Sequence, residues 1–193
     1  MKKIIFATKN KGKVKEVNHI FNDLNFQIMS LADVDEPIDI KETGSSFEEN
    51  ALIKAKQVFK LFKLPTIADD SGLIVEQLNG APGIYSSRYA GQDGNDVANN
   101  EKLLEELKNY PHPHMAKFVC AAVYCDDKNT FTSVGEINGR IIDEKRGTNG
   151  FGYDPLFMPI NYDKTSAELE PEIKNKISHR YHAFIKLKYK ISK

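Results

Sequence analysis

Side chains able to do chemistry collect in five short stretches of this 193-residue chain. In PTIADDSGLIVEQL, residues 65–78, Asp69 and Asp70 interrupt an apolar run of Ile67, Ala68, Leu73, Ile74 and Val75. The apolar residues predict a buried strand, where Asp is a poor strand former and an unpartnered carboxylate is costly. Ser71-Gly72 follows at once and reads as a turn or bulge, which gives the acids an ordinary role as a strand-end cap. The sharper reading is a carboxylate held at a strand terminus to bind a metal or activate water. Adjacent strand residues point to opposite faces, which argues against a dyad sharing one proton and leaves at most one aspartate for a given site. Magnesium typically takes one or two carboxylates along with phosphate oxygens and waters. Glu42, in the loop of ETGSSFEENALIKAK, together with one of these aspartates would meet that requirement.

The other stretches are basic or glycine-rich. TKNKGK, Thr8 to Lys13, joins a strand to a helix and holds three lysines. Backbone N–H groups at a helix N-terminus attract anions, so the loop is a plausible phosphate cradle, although the GxxxxGK[ST] pattern is absent. Lys54 lies on the helix behind Glu42. GTNGFGYDP, residues 147–155, has three glycines that let backbone approach a ligand, and Phe151 and Tyr153 offer faces on which a base could stack. In KNKISHR, residues 174–180, Ser178 is a good helix N-cap that leaves His179 and Arg180 in the first turn. Cations are unfavourable there, and an Arg in that place suggests a ligand that rewards it. Taken singly, each stretch also reads as a solvated surface feature: a basic turn, a surface acid, a snorkelling lysine, a glycine-rich loop.

The elements that must position these residues alternate strand and helix, which predicts an α/β fold in a single domain, residues 1–193. Lys2–Thr8 and Phe26–Leu31 read as strands, and Val14, Val17, Phe21 and Leu24 recur on one face of a helix between them. Asp33–Gly44 reads as loop. Ser46 and Glu49 have capping-box spacing, and their helix turns Ala51, Ala55, Val58 and Phe62 inward until Pro65 stops it. A helix follows over Asp96–Lys108, then strands over Met115–Cys125 and Thr130–Val134, with a tight turn or bulge at Asn138-Gly139. Lys145–Pro159 reads as a Gly-rich loop. Pro171 opens a short helix, and the last helix starts near Ser178 and buries Phe184, Leu187 and Ile191.

Lys plus Arg equals Asp plus Glu, 27 each, so bulk charge gives no argument for nucleic acid or an anionic membrane. No apolar run is long enough to cross a bilayer, and the basic N-terminus has too short an apolar part for a signal peptide. The expectation is a cytoplasmic protein that binds neither nucleic acid nor membrane. Cys120 and Cys125 are expected to be reduced, buried thiols.

Taken together, FATKNKGK, SFEENALIKAK, ADDSGL, GAPGIYSSRYAG, GFGYDPLF and SHR, in that order and over almost the whole chain, resemble the inosine/xanthosine triphosphate pyrophosphatase family. The resemblance implies a mixed central sheet flanked by helices, two lobes with a cleft between them, and a homodimer. It implies Mg²⁺-dependent hydrolysis of non-standard purine nucleoside triphosphates (ITP, dITP, XTP) to the monophosphate and pyrophosphate. On the matching positions, Thr8, Asn10 and Lys13 bind phosphate, Glu42 and Asp70 are linked to the metal, and Asp70 is the general base. Lys54 is the active-site lysine and Ser71 a substrate contact. Phe151, Gly152, Tyr153, Asp154, Lys174, His179 and Arg180 form the base pocket. Asp69 receives no role from the match and reads as a supporting neighbour. The competing readings are a non-catalytic purine-nucleotide sensor and a Maf-like pyrophosphatase of other modified nucleotides. The retained acids and lysine disfavour the first, and the joint presence of GFGYDP and SHR disfavours the second.

Overall fold

A computed structural model describes residues 2–34 and 38–192. Part of the expected loop over residues 33–44 therefore lies outside the described residues. Among the described residues six strands form one sheet in the order β2-β1-β3-β4-β5-β6: β1 Lys2–Phe6, β2 Phe26–Ser30, β3 Thr66–Val75, β4 His114–Cys125, β5 Thr130–Ile141 and β6 Phe157–Pro159. β1 pairs parallel with β2 and β3, whereas β5 and β6 are antiparallel, so the sheet is mixed. The helices are α1 Lys11–Ile20, α2 Phe47–Phe62, α3 Asp96–Leu107, α4 Pro171–Ile177 and α5 His179–Ile191. The fold is the expected α/β arrangement of a mixed sheet with helices. Among the described residues no helix is long and apolar enough to cross a membrane.

The chain divides into two compact units. The first contains the chain up to Asp70, Cys120–Gly135 and the C-terminal segment from His179. Its core joins Ile4 and Phe6 of β1, Val17 and Ile20 of α1, Ile67 of β3, Cys120 and Ala122 of β4, and Phe184 and Leu187 of α5. The rings of Phe6 and Phe184 meet edge-to-face at 5.6 Å, a favoured aromatic geometry. Gly135 of β5 lets α5 approach closely: a Cβ there would stand 2.3 Å from both the Ala183 nitrogen and the His179 carbonyl oxygen.

The second unit contains Ser71–Val119 and Glu136–Ser178. Its core joins Leu73 and Val75 of β3, Leu103 and Leu107 of α3, Phe118 of β4, Ile141 of β5, and Tyr153, Leu156 and Phe157.

Three local expectations are corrected. Ser71-Gly72 does not break the chain: β3 runs straight through it as ten residues. Gly72 has no positive φ, and the Ser86 hydroxyl accepts the Leu73 N–H at 2.9 Å. The two aspartates therefore lie inside the strand and not at its end. Asn138-Gly139 is likewise no turn, because β5 continues to Ile141 and pairs Gly139 with Pro159. Glycine is needed there because a Cβ would come within 2.5 Å of the Met158 carbonyl oxygen and of the Phe157 ring. The strand so approached, β6, falls within the stretch expected to be a loop. Finally, Cys120 and Cys125 are both buried free thiols, as expected.

Candidate active site

In the first unit α2 lays its N-terminal half against the strand that carries the aspartates. Ser46 caps the helix, its hydroxyl accepting the Glu49 N–H at 3.2 Å, while the Glu49 carboxylate takes the N–H and hydroxyl of the preceding Ser45. The buried residues of α2 are Phe47, Asn50, Ala51, Lys54, Ala55 and Val58. Asn50 and Lys54 are thus one turn apart on an otherwise apolar face. Lys54 meets two acids, with its ammonium 2.9 Å from Glu42 and 3.5 Å from Asp70. Asn50 donates its amide to Asp70 Oδ2 at 3.1 Å, and its own oxygen accepts the Gly44 N–H at 2.8 Å. The amide orientation is thereby fixed from both ends. Gly44 permits that approach, since a Cβ would stand 2.8 Å from the Asn50 oxygen.

The electrostatics follow from this crowding. Burial raises the Asp70 pKa above the ordinary carboxylate value; Lys54 opposes the shift, and the negative charge of Glu42 adds to it. Burial works against the Lys54 ammonium, but Asp70, Asp69 and Glu42 together outweigh it and raise its pKa. Both partners shift upward, Lys54 because three acids surround it and Asp70 first because it is buried and then because Glu42 lies close.

Asp69 takes different partners. Its carboxylate is fully buried and pairs with Lys13 of α1 at 3.1 Å and with Arg180 of α5 at 3.2 Å. Arg180 also binds Glu16 of α1 at 2.6 Å, and its side chain is 2 % exposed. Burial disfavours the guanidinium, but Glu16 and Asp69 more than compensate and hold it charged. Sequence neighbours on β3 thus take their closest ion pairs from different side chains, as strand alternation requires. The Lys13 backbone N–H is taken by the Asn10 side chain, which caps α1 at 3.1 Å, and Thr8 Oγ1 accepts the Asn10 N–H at 3.1 Å. One of the N–H groups expected to be open to an anion is therefore already satisfied. His179 is buried at the start of α5.

In the second unit the Gly-rich loop is held from several sides. Asp154 accepts the Phe151 N–H at 3.0 Å and pairs with Lys174 of α4 at 3.2 Å. The Lys174 ammonium lies 5.2 Å from the centre of the Phe151 ring, within cation–π range. Gly152, at φ +63, donates its N–H to Asp96 at 2.7 Å, and its carbonyl accepts from Asn100 at 2.8 Å. Tyr153 differs from the expectation of an open aromatic face: it is 4 % exposed within the core, and its hydroxyl donates to the Ser86 carbonyl at 2.9 Å. Its ring anchors the loop, which leaves the half-buried Phe151 as the aromatic face. Ser71 is half-buried on β3 directly after Asp70.

The structure therefore brings together Glu42, Lys54 and Asp70; Thr8, Asn10 and Lys13; and Phe151, Asp154 and Lys174. Sequence reasoning missed Asn50 and Glu16. Both are buried polar residues on the apolar face of a helix, Asn50 beside Ala51 and Glu16 beside Val17. A polar residue on a stripe otherwise reserved for the core is the signal that could have found them.

Comparisons with known proteins find relatives over almost the whole chain. The profile of the Ham1 family matches residues 4–190. A dITP/XTP pyrophosphatase of Oceanobacillus iheyensis is 49% identical over 190 residues, covering 97% of this chain and 96% of that protein. One of Listeria innocua is 50% identical over 189 residues, covering 97% and 93%. Among solved structures, a HAM1 protein from Coxiella burnetii superposes with a TM-score of 0.90 at 40% identity, covering 100% of this chain and 99% of that one. The Staphylococcus aureus Ham1 protein gives 0.88 at 43% identity, covering 99% and 98%. With the match running almost from end to end, this chain belongs to the Ham1 family.

Proposed function

We propose that this chain hydrolyses the non-standard purine nucleoside triphosphates dITP, XTP and ITP to the monophosphate and pyrophosphate. The names of relatives at 49% and 50% identity support the substrate class. The observation that carries the chemistry is the junction of Glu42, Lys54 and Asp70.

In this reading Asp70 is the general base. Its raised pKa brings it closer to neutral pH, where a carboxylate is a more effective proton acceptor. Asn50 fixes the direction in which the carboxyl points. The water that gives up its proton attacks the α-phosphorus, and the bond from that phosphorus to the bridging oxygen breaks, releasing pyrophosphate. Lys54 and Lys13 stabilise the negative charge that grows on the phosphate oxygens, and Thr8 and Asn10 shape the loop that receives the phosphates. Glu42 and Asp70, two oxygen donors converging on one lysine, suit a hard divalent cation, and Mg²⁺ held there would neutralise part of the triphosphate charge.

Phe151 supplies a stacking face, and Lys174 beside it supplies a donor for the oxygen at purine position 6. Adenine presents an amino group at that position, opposing donor to donor, a mismatch that discriminates by about 10⁴-fold. Gly152, Tyr153 and Asp154 hold the loop that carries Phe151. Ser71 contacts the substrate next to the base catalyst. Arg180 and His179 belong to the base-recognition set in this proposal, and Arg180 reaches a base only by releasing Glu16 or Asp69. The proposal also takes the enzyme as a cytoplasmic homodimer. Tyr85, Tyr110 and Tyr189 are exposed and available to an interface, and light scattering of the purified protein tests that part.

The test of the activity is incubation with ITP, XTP, dITP, GTP, ATP and dTTP, with and without Mg²⁺. The proposal expects monophosphate and pyrophosphate from the inosine and xanthosine nucleotides, only with metal. Orthophosphate as the product would place the attack at the γ-phosphorus, and tight ITP binding without turnover would make the chain a sensor; either would overturn the proposal.

A further inference from the structure

A cluster of side chains of metal-ligating type lies within the second unit and uses none of the site residues above. His112, His114 and Asp143 place one donor atom each within 4.8 Å of one another. His112 Nε2 is 3.4 Å from one Asp143 oxygen, and His114 Nε2 is 3.9 Å from the other. The two imidazole centroids are 4.3 Å apart. A metal bound at about 2.0–2.2 Å to nitrogen and oxygen in a tetrahedral site sets donor separations of about 3.4 Å. The His112–Asp143 contact already has that length, and the other separations of the set, within 4.8 Å, need at most about 1.4 Å of closure. The Asp143 side chain is 71% exposed and belongs to the short segment just after β5.

The decisive feature is behind the donors. The Gln77 amide donates from Nε2 to the Pro111 carbonyl at 2.6 Å, so its oxygen faces the His114 ring at 2.6 Å from Nδ1. An amide oxygen can only accept. Nδ1 of His114 therefore carries the proton, and Nε2 keeps its lone pair on the side of Asp143 and His112. Metal-ligating histidines are characteristically oriented this way, by an acceptor on the far ring nitrogen. His114 is buried, with its side chain 3% exposed, and is fixed at the start of β4. The His112 side chain, 61% exposed, gives an ion access.

We propose that His112, His114 and Asp143 bind a borderline transition-metal dication of the Zn²⁺ class, with Gln77 as the positioning residue. Two imidazoles and a carboxylate suit zinc rather than magnesium, which prefers all-oxygen surroundings. Three protein ligands leave a fourth position for water. The ion would tie the start of β4 to the end of β5 and, through Gln77, to the turn after β3.

Cobalt is the probe. The purified full-length protein is stripped with chelator, desalted and titrated with Co²⁺ while its visible absorption is followed. The expected result is an intense four-coordinate cobalt spectrum that saturates at one equivalent and is displaced by Zn²⁺. His112→Ala and Asp143→Asn, both at exposed positions, should abolish it. Gln77→Ala should weaken affinity by about 10–100-fold. Asp70→Asn should leave the spectrum intact, because Asp70 belongs to the other cluster. A featureless titration, a spectrum that survives both His112→Ala and Asp143→Asn, or one that vanishes in Asp70→Asn would overturn the proposal and reduce the cluster to an exposed His–Asp ion pair.

Discussion

Replacing Arg180 by Met tests the reading of the Glu16–Arg180–Asp69 network as a buried charge cluster. The guanidinium is 2% exposed, and the carboxylates it holds are 10% exposed for Glu16 and fully buried for Asp69. Met fills much of the same volume, so the loss is mainly one of charge. It removes the guanidinium that stands 2.6 Å from Glu16 and 3.2 Å from Asp69, whose remaining ion pair at 3.1 Å is to Lys13. Breaking a buried ion pair by removing one partner costs about 3–5 kcal/mol. For a chain of this length each kcal/mol moves Tm by about 2–4 °C, so the expected fall is about 6–20 °C. Urea and thermal unfolding followed by circular dichroism measure it. The triple variant Glu16→Gln, Asp69→Asn, Arg180→Met removes the stranded charges and should recover a large part of the loss, since neutral replacements of whole buried networks are often tolerated. A single variant within about 1 kcal/mol of wild type would refute the reasoning. A triple variant no more stable than the single would show that packing, not charge, set the cost.

Further outcomes follow from the same geometry. Asp70→Asn should keep nucleotide binding measurable by calorimetry while turnover collapses; near-normal turnover would remove Asp70 as the base. Lys174→Met should lower kcat/KM for ITP and narrow the ITP-to-ATP ratio; an unchanged ratio would take Lys174 out of base recognition. Glu168 should titrate near 2, held down first by Arg146 and then by the Thr165 N–H. Because its folded pKa lies below the unfolded value, its contribution to stability is present above about pH 4.5 and lost as pH falls toward 2. Arg146→Gln should raise the pKa seen in carboxyl NMR titration, and an unmoved value would contradict the pairing. Ser46→Ala should cost about 1 kcal/mol of stability through loss of the α2 cap, and a change below a few tenths would deny the cap its role.

Much of this architecture is legible in the residues. The period of Val14, Val17 and Phe21 placed α1, and Ser46 with Glu49 placed the start of α2, because helix faces and caps are local signals. Strand ends were harder to read. Ser71-Gly72 and Gly139 look like turns, yet both lie in continuous strands. The reason at Gly139 is a neighbouring backbone, Met158, that only tertiary structure supplies. Glu42, Asp70 and Lys54 were legible as candidates by type and spacing. The different partners of Asp69 and Asp70 were legible only in part: alternation separated Asp69 from Asp70, but nothing local says that Arg180, 111 residues on, would turn inward to Asp69. Tyr153 misled for the same reason, since an aromatic residue in a glycine-rich loop reads as open until its partner Ser86 is known. Gln77 has no local signal at all, being defined by what His114 and Pro111 present to it.

The central claim, that water attacks the α-phosphorus at Asp70, is tested most directly by hydrolysing ITP in heavy-oxygen water and locating the label by mass spectrometry. The account predicts that the label appears in the monophosphate, with none in pyrophosphate, and that Asp70→Asn abolishes its incorporation. Label in the pyrophosphate would mean attack at the β-phosphorus and would contradict the account.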